Sequence, residues 1–131
     1  MIKPIQTAAY GRLFRSRLEA RVACFLTHLG IYWEYELEGY DLPCGYYLPD
    51  FFVKKENLHY WIECKKGPPN RLELLKAQQL ANFTDKPVFF MLPETLNGFR
   101  GRNATPQQQM AANFALSQRF EFGEEPKPVD S

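Results

Sequence analysis

Leu48-Pro49-Asp50-Phe51-Phe52-Val53 and Tyr60-Trp61-Ile62-Glu63-Cys64-Lys65 decide how this chain reads, because each apolar run carries an acid that a buried strand tolerates poorly. The polar interval Lys54-Lys55-Glu56-Asn57-Leu58-His59 between them is long enough for a hairpin turn and too short for a helix. A two-residue loop at Glu56-Asn57 pairs Lys55 with Leu58, Phe52 with Trp61 and Asp50 with Glu63. A three-residue loop would put Asp50 out of phase. Residues directly opposite on one face of an antiparallel pair hold their β-carbons about 4.5–5.5 Å apart, and like charges placed so cost about 0.2–1 kcal/mol. The register therefore calls for something positive between the two acids. Strand alternation sends Glu63 and Lys65 to one face, and Ile62 and Cys64 to the other. Two converging carboxylates with an ammonium beside them form an oxygen-rich site suited to a hard divalent cation, Mg²⁺ or Mn²⁺.

The elements around this hairpin follow from periodicity and caps. Phe14, Leu18, Val22, Phe25, Leu26 and Leu29 recur at helical spacing, which predicts a helix over about 13–29 ended by Gly30. Glu19 falls at the edge of that stripe, and Arg12, Arg15, Arg17 and Arg21 flank it. Ile31 to Glu38 alternates as a half-buried edge strand, with Glu34, Glu36 and Glu38 on its solvent face. Asp41-Leu42-Pro43-Cys44-Gly45 reads as a turn leading to the strand that carries Asp50.

Beyond Lys65, Gly67-Pro68-Pro69 breaks the strand, and Asn70-x-x-Glu73 is a capping box opening a helix to about Phe83. Its expected apolar stripe is Leu72, Leu75, Leu80 and Phe83. Lys76 and Gln79 fall inside that stripe, either snorkelling at its edge or reaching the carboxylate site or a phosphate. Lys86 to Leu92 is expected as a buried strand, parallel to its predecessor because a helix separates them. Asn97 to Asn103 reads as a loop with two arginines, and Thr105-Pro106-Gln107-Gln108 starts a last helix running to about Arg119. The resulting order is αβββαβ with an added C-terminal helix, an α/β fold with a mixed central sheet flanked by helices.

Bulk composition narrows the function classes. The 131 residues, 45% hydrophobic and including 20 aromatics, suit one domain over 1–120, followed by an acidic, Pro-rich tail over 121–131 expected to be disordered. No apolar run approaches the ~20 residues of a membrane span and no signal segment is evident, so a soluble, cytoplasmic protein is expected. Cys24, Cys44 and Cys64 form no C-x-x-C pair, and two histidines with three serines give little basis for a zinc site or a Ser-His-Asp hydrolase. The net charge is +1, but setting aside the tail's one base and four acids leaves 15 bases against 11 acids. A moderately basic body fits a nucleic-acid partner without demanding one.

Pro49-Asp50 and Glu63-Cys64-Lys65 resemble the signature of the PD-(D/E)xK, or restriction-endonuclease-like, nuclease superfamily. Such letters recur by chance in about half of chains this long. The likeness is wider here. Phe14-Arg15-Ser16-Arg17-Leu18-Glu19-Ala20-Arg21, Trp33-Glu34-Tyr35, Leu48-Pro49-Asp50-Phe51 and Ile62-Glu63-Cys64-Lys65 together are similar to short stand-alone nucleases often encoded by phages and prophages. The resemblance covers about residues 12–92.

This resemblance implies Asp50, Glu63 and the carbonyl of Cys64 as ligands of Mg²⁺ or Mn²⁺, with Glu19 binding directly or through water. It implies Lys65 as the group that orients the attacking water and stabilises charge on phosphorus, and Gln79 or Lys76 as a further polar contributor. Arg15, Arg17, Lys54, Lys55, Lys66, Arg71, Arg100 and Arg102 are candidate phosphate contacts, which position nucleic acid without reading sequence.

The expected activity is a metal-dependent DNA endonuclease, structure-selective or of low sequence specificity, with RNA the lesser candidate. Cleavage of both strands needs a homodimer or two successive nicks. The alternatives are a catalytically silent nucleic-acid- or protein-binding module on the same fold, or an accessory nuclease subunit whose partner docks on the C-terminal tail.

Overall fold

The computed structural model describes residues 7–118 and 120, a mixed α/β arrangement containing four helices and a mixed four-stranded sheet. The expected tail over 121–131 lies outside the described residues. Two compact units divide the chain: the described residues up to Gly30 together with those from Glu94 onward, and Ile31–Pro93.

The first unit opens with strands β1 (Thr7–Ala9) and β2 (Arg12–Phe14), an antiparallel hairpin. Its turn residues Tyr10 and Gly11 both take positive φ, 52° and 72°, as a two-residue primed turn requires. Helix α1 therefore spans Arg17–His28 and starts four residues later than its apolar stripe suggests. Ser16, in extended backbone, sets the start by accepting the Glu19 N–H at 3.1 Å. Phe14 is fully buried from the strand rather than from the helix. The helix ends as expected, with Gly30 at φ 71° and its N–H donated to the Thr27 carbonyl.

Helix α2 (Arg71–Thr84) belongs to the other unit. Helix α3 (Pro93–Gly98) takes in the first two residues of the expected Asn97–Asn103 loop, and α4 (Pro106–Ser117) carries the expected Thr105–Gln108 capping box. Helices α1 and α4 pack together through fully buried Ala111, Ala112 and Ala115, whose small side chains allow close approach. The Phe25 ring meets Phe99 at 4.8 Å, and His28 meets Phe114 at 5.2 Å.

The second unit holds the sheet: β3 (Tyr32–Tyr35), β6 (Phe51–Lys55), β7 (Leu58–Cys64) and β8 (Val88–Met91), adjacent in that order. A separate hairpin, β4 (Tyr40–Leu42) with β5 (Gly45–Tyr47), lies before β6 in the chain. Strand β3 pairs antiparallel with β6, β6 antiparallel with β7, and β7 parallel with β8 across α2 (Arg71–Thr84). The expected edge strand is present but stops at Tyr35, because Glu36 turns to φ 48°. Leu37, placed on its inward face by alternation, is 52% exposed.

One face of the sheet carries Trp61, buried with Leu42, Tyr47 and Leu80, and flanked by Tyr40, Cys44, Phe52 and Val88. Trp61 Nε1 donates to Thr84 Oγ1 at 3.1 Å, and that hydroxyl donates to the Leu80 carbonyl at 2.8 Å, so a buried indole N–H is satisfied by the helix above it.

The capping box of α2 is formed as read, with Asn70 and Glu73 exchanging backbone hydrogen bonds, both at 2.8 Å. Its buried face differs from the expected stripe. Ala77 and Leu80 are buried, whereas Leu72, Leu75 and Phe83 are 52%, 42% and 69% exposed. The helix carries leucines on most sides, so periodicity alone did not select which of them face the sheet.

Candidate functional site

The loop that fixes the site is Glu56–Asn57. Glu56 takes φ 56°, the positive value that primed hairpin turns need at their first central position. Lys55 then pairs with Leu58, Phe52 with Trp61 and Phe51 with Ile62. The ladder ends at the Phe51–Ile62 pair, one step short of the expected Asp50–Glu63 pairing.

Each acid is held by a backbone N–H of the facing segment, Glu63 by that of Asp50 and Asp50 by that of Cys64. Asp50 Oδ2 accepts the Cys64 N–H at 2.8 Å, and Glu63 Oε1 accepts the Asp50 N–H at 3.1 Å. Hydrogen bonds to an ionised acceptor are stronger than neutral ones, and these two offset part of the like-charge repulsion. The Asp50 carbonyl in turn accepts the Glu36 N–H at 2.8 Å, which ties the end of β3 to the site. Asp50 is only 4% exposed and Glu63 is half-buried.

Tyr47, at the end of β5, is 7% exposed and donates its hydroxyl proton to Glu63. Burial first, then the charge and hydrogen bond of Glu63, then the charge of Asp50, push its hydroxyl pKa far above the ordinary tyrosine range. Sequence reading gave Tyr47 no role. The spacing of a three-residue strand offers too few positions to reveal an inward face.

Lys65 continues the β7 ladder by donating its N–H to the Met91 carbonyl at 3.0 Å. Its ammonium forms an ion pair with Glu73 Oε2 on the first turn of α2. Glu73 is thus doubly engaged, with Oε1 on the Asn70 N–H and Oε2 on Lys65. Sequence reading found Glu73 only as a cap. The partner across space was hidden because Gly67-Pro68-Pro69 carries no periodic signal that would place the helix against the strand end.

The remaining candidates are placed as follows. Gln79 Oε1 accepts the Cys44 N–H at 2.9 Å and so braces the β4–β5 turn. Lys76 is half-buried, its stem close to Gly45 of that turn. Lys54, Lys55, Lys66 and Arg71 are exposed. In the other unit Glu19 is 5% exposed, with Arg15 at 3.8 Å from its Oε2. Arg17 is half-buried, and its Nε meets no hydrogen-bond partner among the described residues. Arg100 donates to Asn113 Oδ1 at 2.8 Å and to Asn97 Oδ1 at 3.3 Å, while Arg102 is exposed.

Among the described residues no group of three or more His, Cys, Asp and Glu side chains gathers in a metal-binding array. A cation held in the Ile31–Pro93 unit would have the Asp50 and Glu63 carboxylates as its side-chain donors. That set fits Mg²⁺, which keeps several waters and binds protein through one or two carboxylates together with substrate phosphate. It does not fit Zn²⁺ held by thiolate or imidazole, since neither side chain joins the pair.

No helix among the described residues is long and apolar enough to cross a membrane. No protein-family model matches this chain, and no curated protein matches it either.

Proposed function

We propose that this chain is a divalent-cation-dependent nuclease with a restriction-endonuclease-like core, acting on DNA with structure selectivity or low sequence specificity. The observation that carries this reading is the pair of hydrogen bonds at the hairpin end, Asp50 N–H to the Glu63 carboxylate and Cys64 N–H to the Asp50 carboxylate, which holds the two acids side by side. Burying a carboxylate is costly unless hydrogen bonds or a cation compensate it, and a purely structural strand end gains nothing from two.

Asp50 and Glu63 would hold Mg²⁺ or Mn²⁺, with the Cys64 carbonyl as a backbone ligand. Such an ion supplies Lewis-acid neutralisation of phosphate charge and a more acidic water. The protein's own groups do the rest. The Cys64 N–H fixes the Asp50 carboxylate, and the Tyr47 hydroxyl and Asp50 N–H fix Glu63, so neither acid must reorganise when a phosphodiester arrives. Lys65, half-buried at the same strand end, supplies positive charge toward the oxygens on which negative charge develops.

The test is incubation of the purified chain with labelled linear, branched and single-stranded DNA in Mg²⁺, Mn²⁺ and EDTA, beside Asp50→Ala and Lys65→Ala. Cation-dependent cleavage is expected from the parent chain alone, with Lys65→Ala lowering kcat by about 100-fold or more. Cleavage that persists in EDTA, or in both variants, would sink the reading. Binding of every substrate without cleavage would favour a silent nucleic-acid-binding module.

A further inference from the structure

Among the described residues, the acid that pairs with the Lys65 ammonium is Glu73, and it lies outside the carboxylate pair. Its two oxygens are divided between different tasks. Oε1 accepts the Asn70 N–H at 2.8 Å, and Asn70 Oδ1 accepts the Glu73 N–H at 2.8 Å, so the capping box fixes the side chain at the helix start. Oε2 is left to face the Lys65 ammonium. Both partners are shielded, their side chains 25% and 29% exposed, so this pair is less screened than a surface pair.

Consider Lys65 without that anchor. It shares a strand face with Glu63, only two strand rises of about 3.3 Å away. A flexible four-carbon stem ending in a compact charge spans that interval, and the two carboxylates of Asp50 and Glu63 form the strongest negative centre near it. The released ammonium would settle on those carboxylates. It would then neutralise the pair and occupy the position a divalent cation needs.

We propose that Glu73 is a positioning residue that holds the Lys65 ammonium off the Asp50–Glu63 pair and so keeps that pair open to a divalent cation. The proposal rests on the metal-dependent reading above and assigns the capping glutamate of α2 a second task. It also accounts for Glu73 rather than glutamine at this position, because glutamine closes a capping box equally well but cannot pair with an ammonium.

The decisive variant is Glu73→Gln, which keeps the cap and removes the charge. Mn²⁺ binding by calorimetry, without any nucleic acid, is measured for the parent chain, Glu73→Gln, Lys65→Ala and the double variant. Thermal unfolding of each follows the fold. The expected result is about tenfold weaker Mn²⁺ binding in Glu73→Gln, because the released ammonium competes with the cation for the carboxylate pair; losing a contact that supports a metal site lowers affinity on the same order. Its melting temperature should stay within a few degrees of the parent. Lys65→Ala should bind Mn²⁺ at least as well as the parent, and adding Lys65→Ala to Glu73→Gln should restore the affinity.

Unchanged affinity in Glu73→Gln would overturn the proposal. So would a loss that persists in the double variant, because Glu73 would then act without Lys65. If the parent itself binds no Mn²⁺, the metal-site reading falls first and this proposal with it. That outcome is distinct from the other two.

Discussion

At Tyr47, burial and two neighbouring carboxylates act in one direction, all favouring the neutral phenol over the phenolate. The folded pKa is raised, so the unfolded chain releases this proton first, near the ordinary value of about 10. The stability that follows is fully present below that pH and is lost as pH rises above it. Urea unfolding followed from about pH 9 to 11 should show stability falling above pH 10. Tyr47→Phe should remove about 1.4 kcal/mol per pH unit from that slope, the remainder belonging in part to Tyr40 and Tyr60, which burial also raises. At neutral pH the same variant should cost about 1 kcal/mol through the lost hydrogen bond to Glu63. An identical slope in the variant would mean that Tyr47 ionises as readily folded as unfolded. At this scale the sequence made Asp50 and Glu63 legible through register arithmetic. Tyr47 and the Glu73–Lys65 pair depend on tertiary placement, which no local spacing records.

Helix α2 shows where element-scale reading holds and where it fails. Its start was legible because a capping box is a local exchange of two hydrogen bonds between residues three apart. Its inward face was not, because Leu72, Leu74, Leu75, Leu80 and Phe83 surround the helix and the short Ala77 decides which side approaches the sheet. Unfolding energies separate the two stripes. Leu80→Ala, fully buried beside Trp61, should cost about 2–5 kcal/mol, whereas Leu75→Ala, 42% exposed, should stay within about 0.5 kcal/mol. Equal costs would restore the stripe that simple periodicity suggests. The three-residue strands were illegible for a related reason. β1, β2, β4 and β5 are too short for alternation to register, and the turn at Tyr10 uses a residue rarely found at positive φ. By contrast, the β6–β7 hairpin has enough alternating residues on either side of its loop to fix both register and face.

The net charge of the whole molecule is +1, so it has little long-range field to draw in a polyanion, and attraction to DNA must come from local clusters. Geometry along the hairpin ranks those clusters. Lys54 and Lys55 adjoin the Glu56–Asn57 turn, and Lys55 lies five residues from Asp50, about 16 Å at the rise of a strand. Lys66 and Arg71 follow Lys65 at the opposite end, where the carboxylates lie, and both are exposed. If the phosphodiester is cut at Asp50 and Glu63, Lys66 and Arg71 are the cations that should touch the flanking phosphates. The salt dependence of duplex binding reads this directly, since each phosphate neutralised contributes about −0.9 to the slope of log K against log salt. In an Asp50→Ala background, which blocks cleavage, anisotropy titrations between about 50 and 200 mM salt should give a slope smaller by about 0.9 for Lys66→Ala and for Arg71→Ala. Lys54→Ala and Lys55→Ala should leave the slope unchanged. The reverse pattern would put the phosphate track at the turn, a full strand length from the carboxylates, where Asp50 and Glu63 could not reach the bond they are proposed to cleave.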